Sequence, residues 1–290
     1  MRLFLLSLVT MMAFATNSLL NRAALADELI DATVFATIRL AAGGAMLALL
    51  CWGLRGRLTL KGPARATGVL ALLVYMYGFS LAYNALDAGI GALILFALVQ
   101  ITMFGFAVAT REDLPARRWI GAALALTGLA ALMWPDGTAP ISLPHAASMA
   151  AAGIAWGVYS LAGKRAEDAL QATAANFVLA TPLGLAFFVL WPMPDPQIVT
   201  TTEGIFLAIT AGAVTSGMGY AMWYSLLPKI SASAAAVAQL SVPVLALVAG
   251  AVLLSEAVTL RAALSAAIVL SGIALSLVPT RPVSKTPTKP

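Results

Sequence analysis

The chain has 290 residues, of which 61% are hydrophobic and only 10% charged, where soluble proteins carry roughly 25% charged residues. That composition excludes a soluble domain pair and predicts an all-α integral membrane protein with many spans. The net charge of +5 does not point to nucleic acid, because the basic residues fall in short connecting segments, where they report orientation.

A membrane helix needs ~20 mostly apolar residues. Ten such runs follow one another: Leu3–Asn21, Thr33–Leu54, Ala66–Leu86, Gly89–Ala109, Arg118–Trp134, Ala146–Lys164, Gln171–Leu190, Gly204–Leu226, Ala232–Leu254 and Ala262–Val278. The first has the basic start of a signal peptide, and Ala24-Leu25-Ala26 resembles a cleavage site. It also matches an internal segment, so it is read as an uncleaved first span. Residues 135–144 form a linker between halves 1–134 and 145–278, and the basic, Pro-rich tail 279–290 is expected to be disordered.

With the N-terminus placed in the cytoplasm, 14 of the 17 Lys and Arg residues fall in inner segments. Only Arg22 and Arg261 fall in outer ones, and Arg39 lies inside the second span. The asymmetry places both termini in the cytoplasm.

The two halves resemble each other. Met12–Arg22 is replayed by Ile154–Lys164, with Ala13/Ala155, Ser18/Ser160 and Leu19/Leu161 identical and Phe14 answered by Trp156. Gly78/Gly219, Phe79/Tyr220 and Tyr83/Tyr224 match in the same order, as do Glu112/Glu256, Arg117/Arg261 and Gly128/Gly272. Ordered matches at a nearly constant offset indicate a tandem duplication. Five spans per repeat is an odd number, so the second repeat enters the membrane from the opposite side. Inverted repeats are a mark of secondary transporters, with the substrate held near the midplane between the halves.

No Asp, Glu, Lys or His lies deep in any span. This argues against proton coupling through a buried carboxylate, against phosphorylated substrates and against intramembrane proteolysis, and no enzyme activity is expected. One cysteine and one histidine leave no basis for a metal centre, and no cofactor is expected. Arg39 is the exception. A charge at that depth is costly and commonly functional or paired, but a position two turns from the helix end would also let it snorkel or hold helix C-terminal carbonyls.

The midplane candidates are neutral or aromatic: Asn17, Gln100, Trp156, Tyr159 and Gln239, with Ser241 and Pro243 following. Pro243 can free a carbonyl beside a cavity. Tyr75, Phe79 and Tyr83 share one helix face, as do Ser216, Tyr220 and Tyr224. Tyr83 and Tyr224 fit either gates or an interfacial aromatic belt. Gln100 and Gln239 fit either substrate ligands or interhelical hydrogen bonds. Small residues in the last span, Ala262, Ser265, Ala266 and Gly272, permit close packing, including that of a homodimer.

These features together resemble the ten-helix drug/metabolite transporter superfamily, in its EamA-like exporter branch. The resemblance rests on the five-plus-five spans, Phe14 and Trp156 late in the first helix of each repeat, Arg39, and Gln239-x-Ser241-x-Pro243 leading to Glu256, Leu260 and Arg261. It implies a central cavity with alternating access, and export of amino acids, often aromatic ones, or related metabolites across a bacterial inner membrane. Phe79, Ser216 and Tyr220 join the expected substrate site, and Arg39, Tyr83, Tyr224 and Pro243 the gates. Two other readings stay open, a multidrug or organic-cation exporter and a non-transport membrane scaffold.

Overall fold

The structure, a computed structural model, describes residues 2–111, 115–133, 141–190, 199–239 and 241–277. Its helices are α1 (Arg2–Ala26), α2 (Ala32–Arg55), α3 (Arg65–Ala82), α4 (Ala88–Ala109), α5 (Ala116–Met133), α6 (Leu143–Gly163) and α7 (Ala169–Leu190). There follow α8 (Thr202–Thr210), a π-helical segment (Ala211–Met218), α9 (Gly219–Leu226), a 3-10 turn (Leu227–Lys229), α10 (Ala232–Gln239), α11 (Ser241–Leu253) and α12 (Leu260–Leu277). The 25 residues of α1 make a rod of about 37 Å, longer than a hydrocarbon layer of about 30 Å.

Among the described residues, eight helices are long and apolar enough to cross a membrane: α1–α4, α6, α7, the continuous run Thr202–Lys229, and Ala234–Leu253. The other two expected spans carry shorter apolar stretches, Trp119–Gly128 in α5 and Leu260–Gly272 in α12. α6 begins at Leu143 with Pro144 in its first turn, where a missing N–H costs nothing. Residues 135–140, Glu112 and the tail 279–290 lie outside the described residues.

Local chemistry sets the helix ends. Asp31 caps α2, its carboxylate accepting from the Thr33 and Val34 N–H groups. Gly56 ends the same helix in the left-handed region, at φ 67°, which a residue without a side chain reaches freely. The segment after Gly56 is tied to α7, since Gln171 accepts from the Thr59 N–H and donates to the Arg57 carbonyl.

The two halves interleave and share one core. α3 packs along α6, α2 along α7 and the π segment, α4 along α6, and α5 along α12. In the last pair a Cβ on Gly128 would lie 2.9 Å from the Ser265 carbonyl oxygen. The buried residues Ala262, Ser265 and Ala266 belong to the same helix, so this small-residue face is used against α5 within one chain.

The close approach can be tested by filling it. Gly128→Leu should destabilise the protein by ~1–3 kcal/mol through overpacking, read as a lowered unfolding temperature in detergent. Gly105→Leu, where a Cβ meets nothing within 4 Å, should leave that temperature unchanged; equal effects would mean α5 and α12 are not in contact.

Candidate functional site

At the centre of the bundle a polar network gathers on α1, α2, α3, the π segment and α9. Arg39, on α2, is 0% exposed. Its Nε donates to Ser216 Oγ at 2.8 Å, and its Nη2 to the hydroxyls of Tyr220 at 2.6 Å and Tyr75 at 3.3 Å. Its Cζ sits 5.4 Å from the Tyr75 ring centre and 5.1 Å from that of Phe79. Ser216 Oγ donates in turn to Asn17 Oδ1, which also accepts from Thr215 Oγ1 at 3.0 Å. Tyr220 donates to Tyr75 at 3.0 Å. Arg39 therefore neither snorkels to an interface nor caps helix carbonyls; its bonds all go to side-chain hydroxyls.

The π segment makes this possible. Gly212 brings it so close to α2 that any Cβ there would overlap the Arg39 carbonyl. The wider π turn carries Ser216, and α9 follows with Tyr220.

An aromatic cluster adjoins the network. The Trp156 ring centre lies 4.5 Å from Tyr220, 4.8 Å from Tyr75, 5.3 Å from Phe14 and 5.4 Å, stacked, from Tyr159. Trp156 Nε1 donates to Gln239 Oε1, and Gln239 Nε2 reaches the Ala235 carbonyl and Met103 Sδ. Both ends of the Gln239 amide are thus engaged within the protein, whereas Gln100 Oε1 is buried with no partner among the described residues. Ser241 Oγ donates to the Ala238 carbonyl, and Pro243 is buried in the first turn of α11. Tyr83 and Tyr224 are 0% and 1% exposed, so neither forms an interfacial belt. Their hydroxyls donate to the Ala88 and Tyr159 carbonyls.

At one end of the bundle a vestibule of about 530 Å3 leads in from the loops. Arg55, Arg57, Lys61 and Arg65 border it, and Asn176 and Tyr224 also line it. Arg65 donates to the Leu60 and Ala172 carbonyls and to Asn176 Oδ1. Asn176 Nδ2 reaches the Tyr224 hydroxyl at 3.4 Å. Arg55 pairs with Asp168 at 2.7 Å. Partial burial would raise that carboxyl, but the Arg55 guanidinium and the Gln171 and Leu170 N–H groups together outweigh it and hold Asp168 below the usual range.

A latch closes a second set of loops. Arg22, near the end of α1, donates to Asp87 and Glu256, each at 3.2 Å, and to the Tyr83 carbonyl at 3.1 Å. Glu256 also receives the Ala88 N–H, at the positive end of the α4 dipole. One guanidinium so joins α1, the α3–α4 turn and the α11–α12 loop.

Sequence reasoning missed Arg22, Arg65 and Asn176 as site residues. A signal existed for two of them. The duplication pairs Arg22 with Lys164, whose Nζ reaches the Ile230 carbonyl, and Asn176 is a lone amide within an apolar run.

A bundle of membrane-crossing helices, with a buried polar and aromatic centre between a vestibule and a latched end, has the architecture of a membrane transporter. The profile of the EamA-like transporter family matches residues 145–278. An uncharacterized protein of Pseudomonas aeruginosa is 44% identical over 96% of this chain and 95% of its own. An uncharacterized transporter of Archaeoglobus fulgidus is 25% identical over 72% of this chain and 74% of its own. The uncharacterized transporter YoaV of Bacillus subtilis is 22% identical over 83% and 85%. A protein of known crystal structure shares the fold with a TM-score of 0.73 at 21% identity, covering 95% of this chain and 97% of that one. The chain belongs to the EamA-like transporter family, and it is a secondary transporter of small molecules rather than an enzyme.

Glu256 gives the latch a pH dependence. Burial raises its carboxyl and Asp87 adds to this, while the Ala88 N–H and Arg22 pull it down without restoring the ordinary range. A raised carboxyl is protonated earlier as pH falls, and the ionised form that Arg22 grips is then lost. Acidification at that end should therefore loosen the latch. The reporter is Ser80→Cys, one turn before Tyr83, in a Cys51→Ala background. Its labelling by an impermeant thiol reagent, normalised to an exposed control cysteine, should rise at mildly acid pH. Adding Glu256→Gln should make labelling high at every pH. Low, pH-independent labelling in both proteins would show that Glu256 does not hold the latch.

Proposed function

We propose that the protein exports amino acids, aromatic ones among them, or related small metabolites across a bacterial inner membrane by alternating access. The observation that carries this reading is the central cluster itself. Asn17 and Tyr75 come from the first half, and Trp156, Tyr159, Ser216 and Tyr220 from the second, and the cluster lies between a latched end and an open one. An aromatic side chain can stack on Trp156 or Tyr220, while Asn17 and Ser216 supply hydrogen bonds. Phe79, Gln100, Gln239 and Ser241 complete the site once the cluster parts, and Gln239 then exchanges Trp156 for substrate.

In this reading the chain is two inverted five-span repeats, 1–134 and 145–278, rocking about the cluster. Both termini are cytoplasmic, which puts the vestibule and its bordering Arg55, Arg57, Lys61 and Arg65 on the cytoplasmic side, as the positive-inside rule requires. Tyr224 gates that side and Tyr83 the other, with Pro243 loosening α11. A homodimer through α12 has less support, because α5 covers its small-residue face. An organic-cation exporter would also favour aromatic walls, but a guanidinium at the centre opposes it. A mere scaffold needs neither vestibule nor latch.

Orientation is checked on intact cells carrying Cys51→Ala. Ser142→Cys should react with an impermeant thiol reagent added outside and Thr59→Cys should not; the reverse pattern would invert the assignment of sides.

Transport is checked in liposomes by counterflow of labelled L-phenylalanine, which should persist after pH and voltage gradients are collapsed. Gln239→Ala, matched for folded amount, should raise half-saturation roughly five- to 150-fold, as expected for an unmatched polar group worth ~1–3 kcal/mol. Unchanged half-saturation would remove Gln239 from the site, and no counterflow with any amino acid would remove the substrate class.

A further inference from the structure

We infer that Arg39 is the anchor for a carboxylate on the transported molecule, so that the substrate is a carboxylate-bearing zwitterion or anion and not a cation. This deepens the exporter reading and rests on it for the site, though not for the amino-acid class.

Three observations meet on this one side chain. First, the guanidinium is wholly buried, yet its partners among the described residues are the hydroxyls of Ser216, Tyr75 and Tyr220 and the rings of Tyr75 and Phe79. Among the described residues Arg39 belongs to no ion pair, and no acid lies deep in a span to form one. A full charge in a membrane interior without a counter-charge is costly, and such residues mark substrate or ion pathways. Second, Nη1 is buried and has no hydrogen-bond partner among the described residues. A guanidinium presents its N–H groups as a planar fork matched to a carboxylate; here one arm of the fork is spent on tyrosine and the other is empty. Third, the neighbours that Arg39 holds are those that would receive the rest of an amino acid. Tyr75 and Tyr220 pack on Trp156, and Ser216 leads to Asn17, whose Oδ1 can accept from an ammonium.

The route from the vestibule has the same sign. Arg65, half-buried at its base, donates only to neutral acceptors, two backbone carbonyls and Asn176. Arg55, Arg57, Lys61 and Arg65 outnumber Glu167 and Asp168 around the vestibule, and a cleft with an excess of one sign of charge concentrates ligands of the other. An anionic group thus meets Arg65 first and Arg39 at the centre, and the tyrosines now bonded to Arg39 are displaced as it binds.

A purely structural Arg39, tying α2 to α9, would predict no preference for charge on the substrate. The experiment therefore varies the ligand in the wild-type protein before it varies the protein. Counterflow of labelled L-phenylalanine in liposomes is competed with phenylalanine methyl ester, which keeps the ring and ammonium but lacks the carboxylate, and with 3-phenylpropionate, which keeps the ring and carboxylate but lacks the ammonium. Phenylpropionate should compete and the ester should not. In Arg39→Gln the half-saturation for phenylalanine should rise roughly 10- to 150-fold, the equivalent of a lost hydrogen bond to a charged group. Arg39→Lys should restore part of it. Competition by the ester equal to that of phenylalanine itself, or a wild-type half-saturation in folded Arg39→Gln, would overturn the assignment. If phenylalanine is not transported at all, the exporter reading fails at its amino-acid class, and the anchor is tested separately by thermal unfolding in detergent. Phenylpropionate and other small carboxylates should then stabilise the wild type but not Arg39→Gln, and matched amines should stabilise neither. Absence of any carboxylate effect on the wild type would overturn the anchor as well.

Discussion

A single positive charge sits in the apolar middle of this bundle, and much of the nearby structure serves to keep it there. Desolvating a guanidinium costs far more than one hydrogen bond returns, so Arg39 is met by three hydroxyls from two separate helical runs and by the faces of two rings. Each partner is fixed in its turn. Ser216 bonds Asn17, Tyr220 bonds Tyr75, and Trp156, itself held by Gln239, packs against both tyrosines. The consequence is a centre in which polar groups from both halves of the chain bond one another without groups of opposite charge, while Arg39 Nη1 and Gln100 Oε1 find no partner among the described residues. That is a resting arrangement able to release its bonds in exchange for a better partner.

The two ends of the bundle differ in kind. The latch joins one arginine to two carboxylates and a helix N-terminus, so its strength depends on ionisation and on water access. The vestibule carries an excess of cations, and among the described residues only Arg55 of those bordering it is paired with an acid. Opening the first end breaks charge pairs, while the second already stands open and keeps charge in reserve. This asymmetry leaves one end of the bundle closed and the other open.

The helices are legible in the sequence because a bilayer demands length and apolarity together, and few other pressures do. Depth is legible for the same reason, which is why Asn17, Trp156 and Gln239 stand out. Azimuth is not. Arg39 at a known depth fits a snorkelling side chain as well as a buried one until the neighbours at the same level are known, and those neighbours include Ser216 and Tyr220, 177 and 181 residues away. Tyr83 and Tyr224 fit an interfacial belt for the same reason, although both turn inward. Arg22 shows a different limit. It falls just beyond the first apolar run and contributes to the loop charge count, but its partners Asp87 and Glu256 lie on connections that no periodicity brings together.

One contact described above governs what can move. Gly212 lies directly on the Arg39 backbone, and Gly43, one turn further along α2, faces the Gly212 carbonyl and the Phe177 ring just as tightly. Between α2 and the π segment there is thus a seam of backbone against backbone, without rotamers to adjust. Such a seam can slide or part, but it cannot flex by repacking side chains. A tilt of α2 that leaves the seam closed carries Ser216 along with Arg39, and one that parts it breaks the bond between them.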